Sequence, residues 1–256
     1  AIEYGHFITV KVENMRLQHT EKVLNEEKDA APKIAEPEKP LGVVSVCAGA
    51  GLADVFMNLG VDQIISGGQT MNPSTQDILE AVNKVPAETV FVLPNNKNII
   101  MAAEQVNALS PKNVVVIPSK TVPQGVTAML SFDPEGTVED NTQAMTDVLS
   151  SVETMQITYA ARNSDFDGYD IHEGDYLAMD GKGLFGTSKD ITVLLKALAE
   201  KVRDDGREFV TIYYGADTKE RHAQKAADLF THICPEAEVN LINGGQPVYY
   251  YMISAE

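Results

Sequence analysis

The chain has few basic residues. Its 256 residues include 20 lysines and arginines against 37 aspartates and glutamates, which gives a formal net charge of −17. Nucleic acids and anionic membrane surfaces both select proteins with clustered cations, so this composition argues against either as the main partner. An acidic, solubilising surface is the simplest interpretation of the charge.

Cysteines and long apolar runs are also scarce. Cys47 and Cys234 lie far apart, in neither a CxxC nor a metal-ligand spacing, and this predicts buried, reduced thiols. No apolar run reaches the roughly 20 residues that a membrane span needs, and no signal peptide is visible. We therefore expect a cytoplasmic protein without membrane insertion, and its 44% hydrophobic residues can form a substantial core.

The motifs of phosphate and nucleophile chemistry are missing. No Gly-Lys-Ser or Gly-Lys-Thr stands at the Walker A spacing, and Gly49-Ala50-Gly51 lacks the third glycine of a dinucleotide fingerprint. The acidic run at 165–170 fails the spacing of an EF-hand, and a solvated hairpin tip is the simpler interpretation. No Ser-His-Asp or Cys-His set can be singled out. We predict no catalytic residue, no metal site and no cofactor in this chain.

Strand-like and helix-like segments alternate from Leu41 onward. Short loops join them up to about residue 153, which is typical of a parallel sheet with helices on both faces. One of these helices is predicted to begin at Pro73 with Asn72 as its N-cap. After residue 154 the pattern becomes mixed, with a hairpin within 165–186 and a final aromatic strand at 248–254. We predict an α/β fold of two lobes.

The start of the chain suggests a longer protein. Ala1 is not an initiator methionine, and residues 5–14 alternate like the last strand of a preceding domain. Three prolines within 26–40 are typical of an extended linker. The predicted organisation is the end of a central domain at 1–25, a linker at 26–40, a first α/β lobe at 41–153 and a second at 154–256.

A Gly-Gly-Gln sequence occurs twice, each time after an apolar run. The first copy has the pattern of a strand, a glycine loop and a capped helix, which can present backbone N–H groups to an anionic or polar ligand. The second copy has no helix after it. The candidate residues of these two loops are Gly67, Gly68, Gln69, Thr70, Asn72 and Ser74 in the first, and Gly244, Gly245 and Gln246 in the second.

Small polar residues and lysines also follow the next two predicted strands. They are Asn95, Asn96 and Lys97 after one strand, and Ser119 and Lys120 after the other. Because the carboxyl ends of parallel strands lie at one edge, these loops and the first glycine loop are candidates for a shared site. The alternative is that they are ordinary turn and cap residues.

Three consecutive tyrosines, residues 249–251, lie near the end of the chain. Alternate rings of a strand face opposite sides, so core packing explains at least one face. Tyrosine is also enriched at interface hot spots, which makes Tyr249 a candidate for a docking surface.

Three segments together carry a family resemblance. Ser66–Thr75, Leu93–Ile99 and Asn243–Tyr249 resemble the C-terminal region of the bacterial fatty acid kinase large subunit, of the YloV type in the dihydroxyacetone-kinase-like family. The resemblance implies a DegV-like two-lobed fold. It also implies that ATP and Mg²⁺ bind a kinase domain absent from this chain, and that a homodimer forms through an absent central domain.

The same resemblance implies a role for this chain. It would be a non-catalytic domain that docks the fatty-acid-binding small subunit, of the DegV family, for acyl phosphorylation by the absent kinase domain. The alternative is a DegV-like protein that binds a fatty acid or other small carboxylate between its lobes. The loop at 243–246 lacks the histidine of DegV-type carriers, which favours docking. A third class, an independent nucleotide-dependent enzyme, has no supporting motif.

Overall fold

The computed structural model describes residues 34–68, 72–166 and 168–256. The expectations for residues 1–33, and for Gln69 and Thr70, lie outside the described residues. Ala35–Glu256 form one compact unit. The division of this unit into two lobes at residue 153 stays a prediction.

The first half of the unit is built around a four-stranded parallel sheet. Its strands are β1 (Lys39–Cys47), β2 (Gln63–Ser66), β3 (Ala87–Leu93) and β4 (Asn113–Val116), in the order β2-β1-β3-β4. The helices of this half are α1 (Ala50–Asn58), α2 (Thr75–Lys84), α3 (Ile100–Leu109), α4 (Val122–Leu130) and α5 (Val138–Asp147), followed by a 3₁₀ turn at Val148–Ser150.

The second half contains a six-stranded mixed sheet. Its strands are β5 (Glu153–Tyr159), β8 (Tyr176–Asp180), β9 (Gly183–Ser188), β10 (Phe209–Tyr214), β11 (Glu238–Asn243) and β12 (Tyr251–Ala255), in the order β11-β10-β12-β5-β8-β9. A separate hairpin comprises β6 (Ser164–Phe166) and β7 (Tyr169–Ile171). Two longer helices, α6 (Ile191–Asp204) and α7 (Glu220–Ile233), pack on this sheet.

The first sheet is buried on both faces. In β1, Val43 and Cys47 face one hydrophobic core and Val44 and Val46 face another. A strand buried on both sides requires a continuous apolar run, and this is the pattern that predicted it. The α/β fold class, with a parallel sheet and a second mixed sheet, is confirmed.

One hydrophobic core joins the two sheets. Phe91 and Leu93 of β3 pack in the same core as Tyr213 of β10 and Met252 of β12. The hydroxyl groups of Thr121 and Thr154 also share a hydrogen bond of 2.8 Å. Because close-packed cores deform little, the two sheets hold a defined position relative to one another.

The structure moves several predicted boundaries. β1 begins at Lys39, inside the predicted linker. The segment 165–186 forms two hairpins rather than one. The final strand begins at Tyr251 rather than at Val248, because Val248 has a φ of 72° and the N–H of Tyr249 donates to the carbonyl of Pro247.

The predicted cap of α2 is wrong. Ser74, and not Asn72, is the N-cap, because its hydroxyl oxygen accepts the N–H of Asp77 while the Asp77 carboxylate accepts the N–H of Ser74. This reciprocal pair is a capping box and satisfies two backbone donors at once. The hydrogen bonds from the side chain and backbone of Ser74 lower the pKa of Asp77.

We expect Ser74→Ala to destabilise the protein by about 1 kcal/mol, because the first turn of α2 loses its cap. Since the pKa of Asp77 is lower in the folded state, its contribution is present above the unfolded-state pKa and is lost as the pH falls through the folded value. Urea denaturation at neutral and acidic pH measures both effects. Ser74→Thr is the matched control because it keeps the hydroxyl. Equal stability of the alanine and threonine variants at neutral pH would refute the cap assignment.

Candidate functional site

Three loops meet at the carboxyl edge of the first sheet. The side-chain amide of Asn96, after β3, donates to the carbonyl of Gly68, after β2. The backbone N–H of Asn95 donates to the hydroxyl of Ser119, after β4, at 3.1 Å. The contiguity expected from parallel topology is therefore present among these residues.

Asn95 braces this edge from within. Its amide nitrogen donates to the Ser45 hydroxyl and the Val46 carbonyl, both at 2.9 Å, and its amide oxygen accepts from Ser119 at 2.8 Å. Asn95 is only 6% exposed and has a φ of 54°, in the left-handed region. Because the amide and the Ser119 hydroxyl are used within the chain, these two residues shape the edge rather than offer free groups to a ligand.

A cleft of about 920 Å³ opens between this edge and the second sheet. We call it the cleft. The sequence-predicted residues that line it are Gly68, Asn95, Asn96, Lys97, Lys120 and Tyr249. The sequence-predicted residues that do not line it are Gly67, Asn72, Ser74, Ser119, Gly244, Gly245 and Gln246. Thus the second Gly-Gly-Gln does not join the first.

The opposite wall of the cleft contains charged residues that sequence reasoning missed. Lys201 of α6 forms ion pairs of 2.6 Å with Glu153 and with Asp205, and Arg207 lies 3.5 Å from Glu153. Burial alone would lower the pKa of Lys201, but the two carboxylates outweigh it and raise that pKa. The charged residues of this wall also include Lys182, in the β8–β9 turn. Lys201 and Asp205 are four residues apart, but no local pattern links them to Glu153 or to Lys182, which lie far away in the chain.

The second glycine loop packs against the start of α1. The carbonyl of Gly244 accepts the N–H of Leu52 at 3.0 Å, and a Cβ added to Gly51 would overlap the carbonyl oxygen of Asn243. Gly49 has a φ of 118°, and a Cβ there would lie 2.7 Å from the nitrogen of Gln246. The close approach of the backbone at 243–246 therefore explains why glycine stands at positions 49 and 51.

Gln246 anchors that loop. It is 1% exposed, and its amide nitrogen donates to the carbonyl of Tyr213 at 3.0 Å, while the carbonyl of Gln246 accepts the N–H of Ala216 at 3.0 Å. Its amide oxygen is buried without a hydrogen-bond partner in the described part of the chain. The second Gly-Gly-Gln is thus a structural turn that ties β11 to β10.

Tyr250 and Tyr251 lie with Tyr176 around a second cavity, of about 410 Å³, between the second sheet and the helices α6 and α7, whereas Tyr249 lines the cleft. Tyr250 contacts Tyr159 and Tyr176 edge to face, with ring centroids 6.2 and 5.3 Å apart. Tyr251 is 2% exposed, and burial raises its pKa to about 12. The cavity walls also include aliphatic side chains, with His222 and Lys225 among the polar ones.

The next features concern possible metal ligands, the two cysteines and the length of the helices in the described ranges. There, no group of three histidine, cysteine or acidic side chains is placed to hold a metal ion. Both Cys47 and Cys234 are free and buried, as predicted, and burial raises the pKa of Cys47 to about 12. Among the helices that the structure describes, none has the length and apolar character that crossing a membrane requires.

Sequence comparison places residues 42–256 in a known family. The matching family profile is that of the FakA-like C-terminal region of fatty acid kinase. The protein YloV of Bacillus subtilis is 42% identical over 256 residues, which are 100% of this chain and 46% of that protein. The chain therefore spans about half the length of the curated relatives it matches.

Structural comparison shows a shared fold. The DegV family protein Cg2579 of Corynebacterium glutamicum aligns with a TM-score of 0.63 at 15% identity, over 85% of this chain and 97% of that one. The Streptococcus pneumoniae fatty acid kinase (Fak) B3 protein, solved with linoleic acid, aligns with a TM-score of 0.58 at 10% identity, over 85% and 99%. At these identities the likeness establishes the fold alone.

Proposed function

Because the chain belongs to the family of FakA-like C-terminal domains of fatty acid kinase, we propose that it docks the fatty-acid-carrying small subunit of that kinase. In this proposal the chain contributes binding only. Phosphorylation of the acyl carboxylate, with ATP and Mg²⁺, takes place in a kinase domain outside this sequence. The small subunit is expected to have a DegV fold, as the Streptococcus pneumoniae protein solved with linoleic acid does.

The observation that carries the proposal is the character of the cleft. Its walls are made largely of amide, hydroxyl and charged side chains, such as Asn96, Asn98 and Gln156. The apolar residues at the ends of the strands that lead to its loops, including Leu93 of β3 and Ile117 after β4, are fully buried in packed cores. An acyl chain needs an apolar pocket, whereas a polar, water-accessible cleft suits the rim of a protein–protein interface.

The rigid connection between the sheets also supports docking. The two walls of the cleft are joined by the core that Phe91 and Met252 share. A surface that is already ordered loses less conformational entropy on association, which favours binding.

We expect the purified chain to bind a DegV-family fatty-acid-binding protein of the same organism, loaded with a long-chain fatty acid, saturably and at a 1:1 ratio. Isothermal titration calorimetry measures this directly. Asn98→Trp adds bulk at an exposed position of the cleft and should weaken binding by about tenfold, because it disturbs the packing of the interface. Asn107→Trp, at an exposed position of α3 outside the cleft, is the matched control and should leave the affinity unchanged.

The proposal would be refuted if the folded chain did not bind the fatty-acid-loaded DegV-family protein. Circular dichroism and a cooperative melting transition establish that the sample is folded. If native mass spectrometry of that same sample shows a copurified fatty acid, binding of a lipid by the chain itself is supported. The 410 Å³ cavity, which lies within the second half rather than between the predicted lobes, is then a second place to test beside the cleft.

A further inference from the structure

The cleft has a charge opposite to that of the chain. Among the residues that the structure describes, five basic residues line it, against three acidic ones. The basic residues are Lys97, Lys120, Lys182, Lys201 and Arg207. On a chain with a net charge of −17, this concentration of cations in one concave region calls for an explanation beyond solubility.

Two of these five cations are neutralised within the protein. Lys201 contacts both Glu153 and Asp205, and Arg207 contacts Glu153. This group of four joins α6 and the segment after it to β5. The charges of Lys201 and Arg207 are therefore used in ion pairs that stabilise the wall of the cleft.

The third acidic residue, Asp180, is also engaged. Its carboxylate accepts the backbone N–H groups of Lys182 at 2.8 Å and of Gly183 at 3.2 Å, which closes the β8–β9 turn. The remaining cations, Lys97, Lys120 and Lys182, have no carboxylate within ion-pairing distance among the described residues. All three are exposed, two on the wall of the first sheet and one on the opposite wall.

Several anions could in principle meet three such ammonium groups. A nucleic acid or an anionic membrane extends far beyond the cleft and would encounter the acidic remainder of the surface. A volume of about 920 Å³ is much larger than a single phosphate or carboxylate group. A folded protein can present an acidic patch of limited extent, which matches both the size and the local charge of the cleft.

We propose that an acidic surface segment of the docked fatty-acid-carrying subunit enters the cleft and pairs with Lys97, Lys120 and Lys182. This inference rests on the proposed docking function. Because the three ammonium groups are exposed, their main effect is on the rate of association and on its salt dependence. Lys201 and Arg207 hold the wall and do not contribute a free charge.

The test compares two triple variants with the same change in charge. The first replaces Lys97, Lys120 and Lys182 with glutamate. The control replaces three exposed lysines outside the cleft with glutamate: Lys84, Lys189 and Lys196. Surface plasmon resonance at several salt concentrations records association of the fatty-acid-loaded carrier. We expect the cleft variant to associate at least about tenfold more slowly at low salt and to lose most of the salt dependence, with the control within about twofold of wild type.

The outcomes separate this inference from the docking function. If wild type and both triple variants bind alike, docking stands and the acidic-segment inference is wrong. If the wild-type chain does not bind the carrier, both fail. A further outcome is that vesicles with anionic lipid bind the wild type but not the cleft variant, while the carrier binds both. The three lysines would then bind a membrane surface, and the inference would be overturned. A Lys→Gln triple variant at the same positions repeats the comparison should the glutamate variant misfold.

Discussion

Replacing Gly51 with alanine should destabilise the protein by about 3 kcal/mol or more, at the upper end of what overpacking costs. The added Cβ would overlap the carbonyl oxygen of Asn243 and lie 2.9 Å from its carbonyl carbon. Both atoms belong to the backbone, so no side-chain rotation can relieve the overlap.

The Asn243 loop cannot simply move away. The N–H of Gly244 donates to the carbonyl of Tyr214 at 3.1 Å, and the carbonyl of Gly244 accepts from Leu52. Displacement of the loop would break these bonds and separate β11 from α1. The variant should therefore unfold at a markedly lower urea concentration than the wild type.

Gly181→Ala is the matched control for this substitution. A Cβ at Gly181 would meet no atom within 4 Å, and its φ lies outside the left-handed region. We expect it to change stability by no more than about 0.5 kcal/mol. If the Gly51 variant proved as stable as this control, close packing of Gly51 against the second glycine loop would not be what requires glycine there.

Replacing Asn95 with alanine should destabilise the protein by about 3 kcal/mol, because buried polar groups are left without a hydrogen-bond partner. The fully buried hydroxyl of Ser45 and the carbonyl of Val46 would lose the amide donor. The fully buried hydroxyl of Ser119 would lose its acceptor, although it still accepts the backbone N–H of residue 95. Alanine would also have to adopt the φ of 54° that asparagine tolerates better.

Asn95→Gly distinguishes the two causes. Glycine loses the same hydrogen bonds but adopts a positive φ without strain, so this variant should be about 1 kcal/mol more stable than the alanine variant. That order is the reverse of the usual one, in which glycine is the less stable of the two. Urea denaturation measures the series, with Asn98→Ala on the same loop as a control. If the free energy of unfolding of the alanine variant equals or exceeds that of the glycine variant, backbone strain at residue 95 is unimportant.

The sequence predicted most of the secondary structure because the strands of the first sheet are buried on both faces. Such strands must be continuous apolar runs, as in β1 and β3, and the helices between them show a one-sided pattern. The helix boundary at Ser74 was missed because Asn72 and Ser74 are both good caps. Reciprocity with Asp77 decides between them, and it depends on the local geometry of the turn.

The candidate site was only half predictable. The loops that contain Gly68, Asn96 and Lys120 could be placed at one edge because parallel topology requires it. The facing wall, with Glu153 and Lys201, comes from a second sheet packed through a shared core. No periodicity or spacing specifies that contact.

Local patterning by itself determined the α/β class, the parallel sheet and the buried thiols, since each depends on residues close together in the sequence. The family followed from a resemblance that three separate segments carry together. Only the tertiary structure decided how those residues are used. It placed the second Gly-Gly-Gln against α1 instead of in the cleft, turned Asn95 inward, and neutralised Lys201 while leaving Lys97 and Lys120 without a carboxylate partner among the described residues. The physical reason is that packing and ion pairing act between residues distant in the chain, whose proximity exists only after folding.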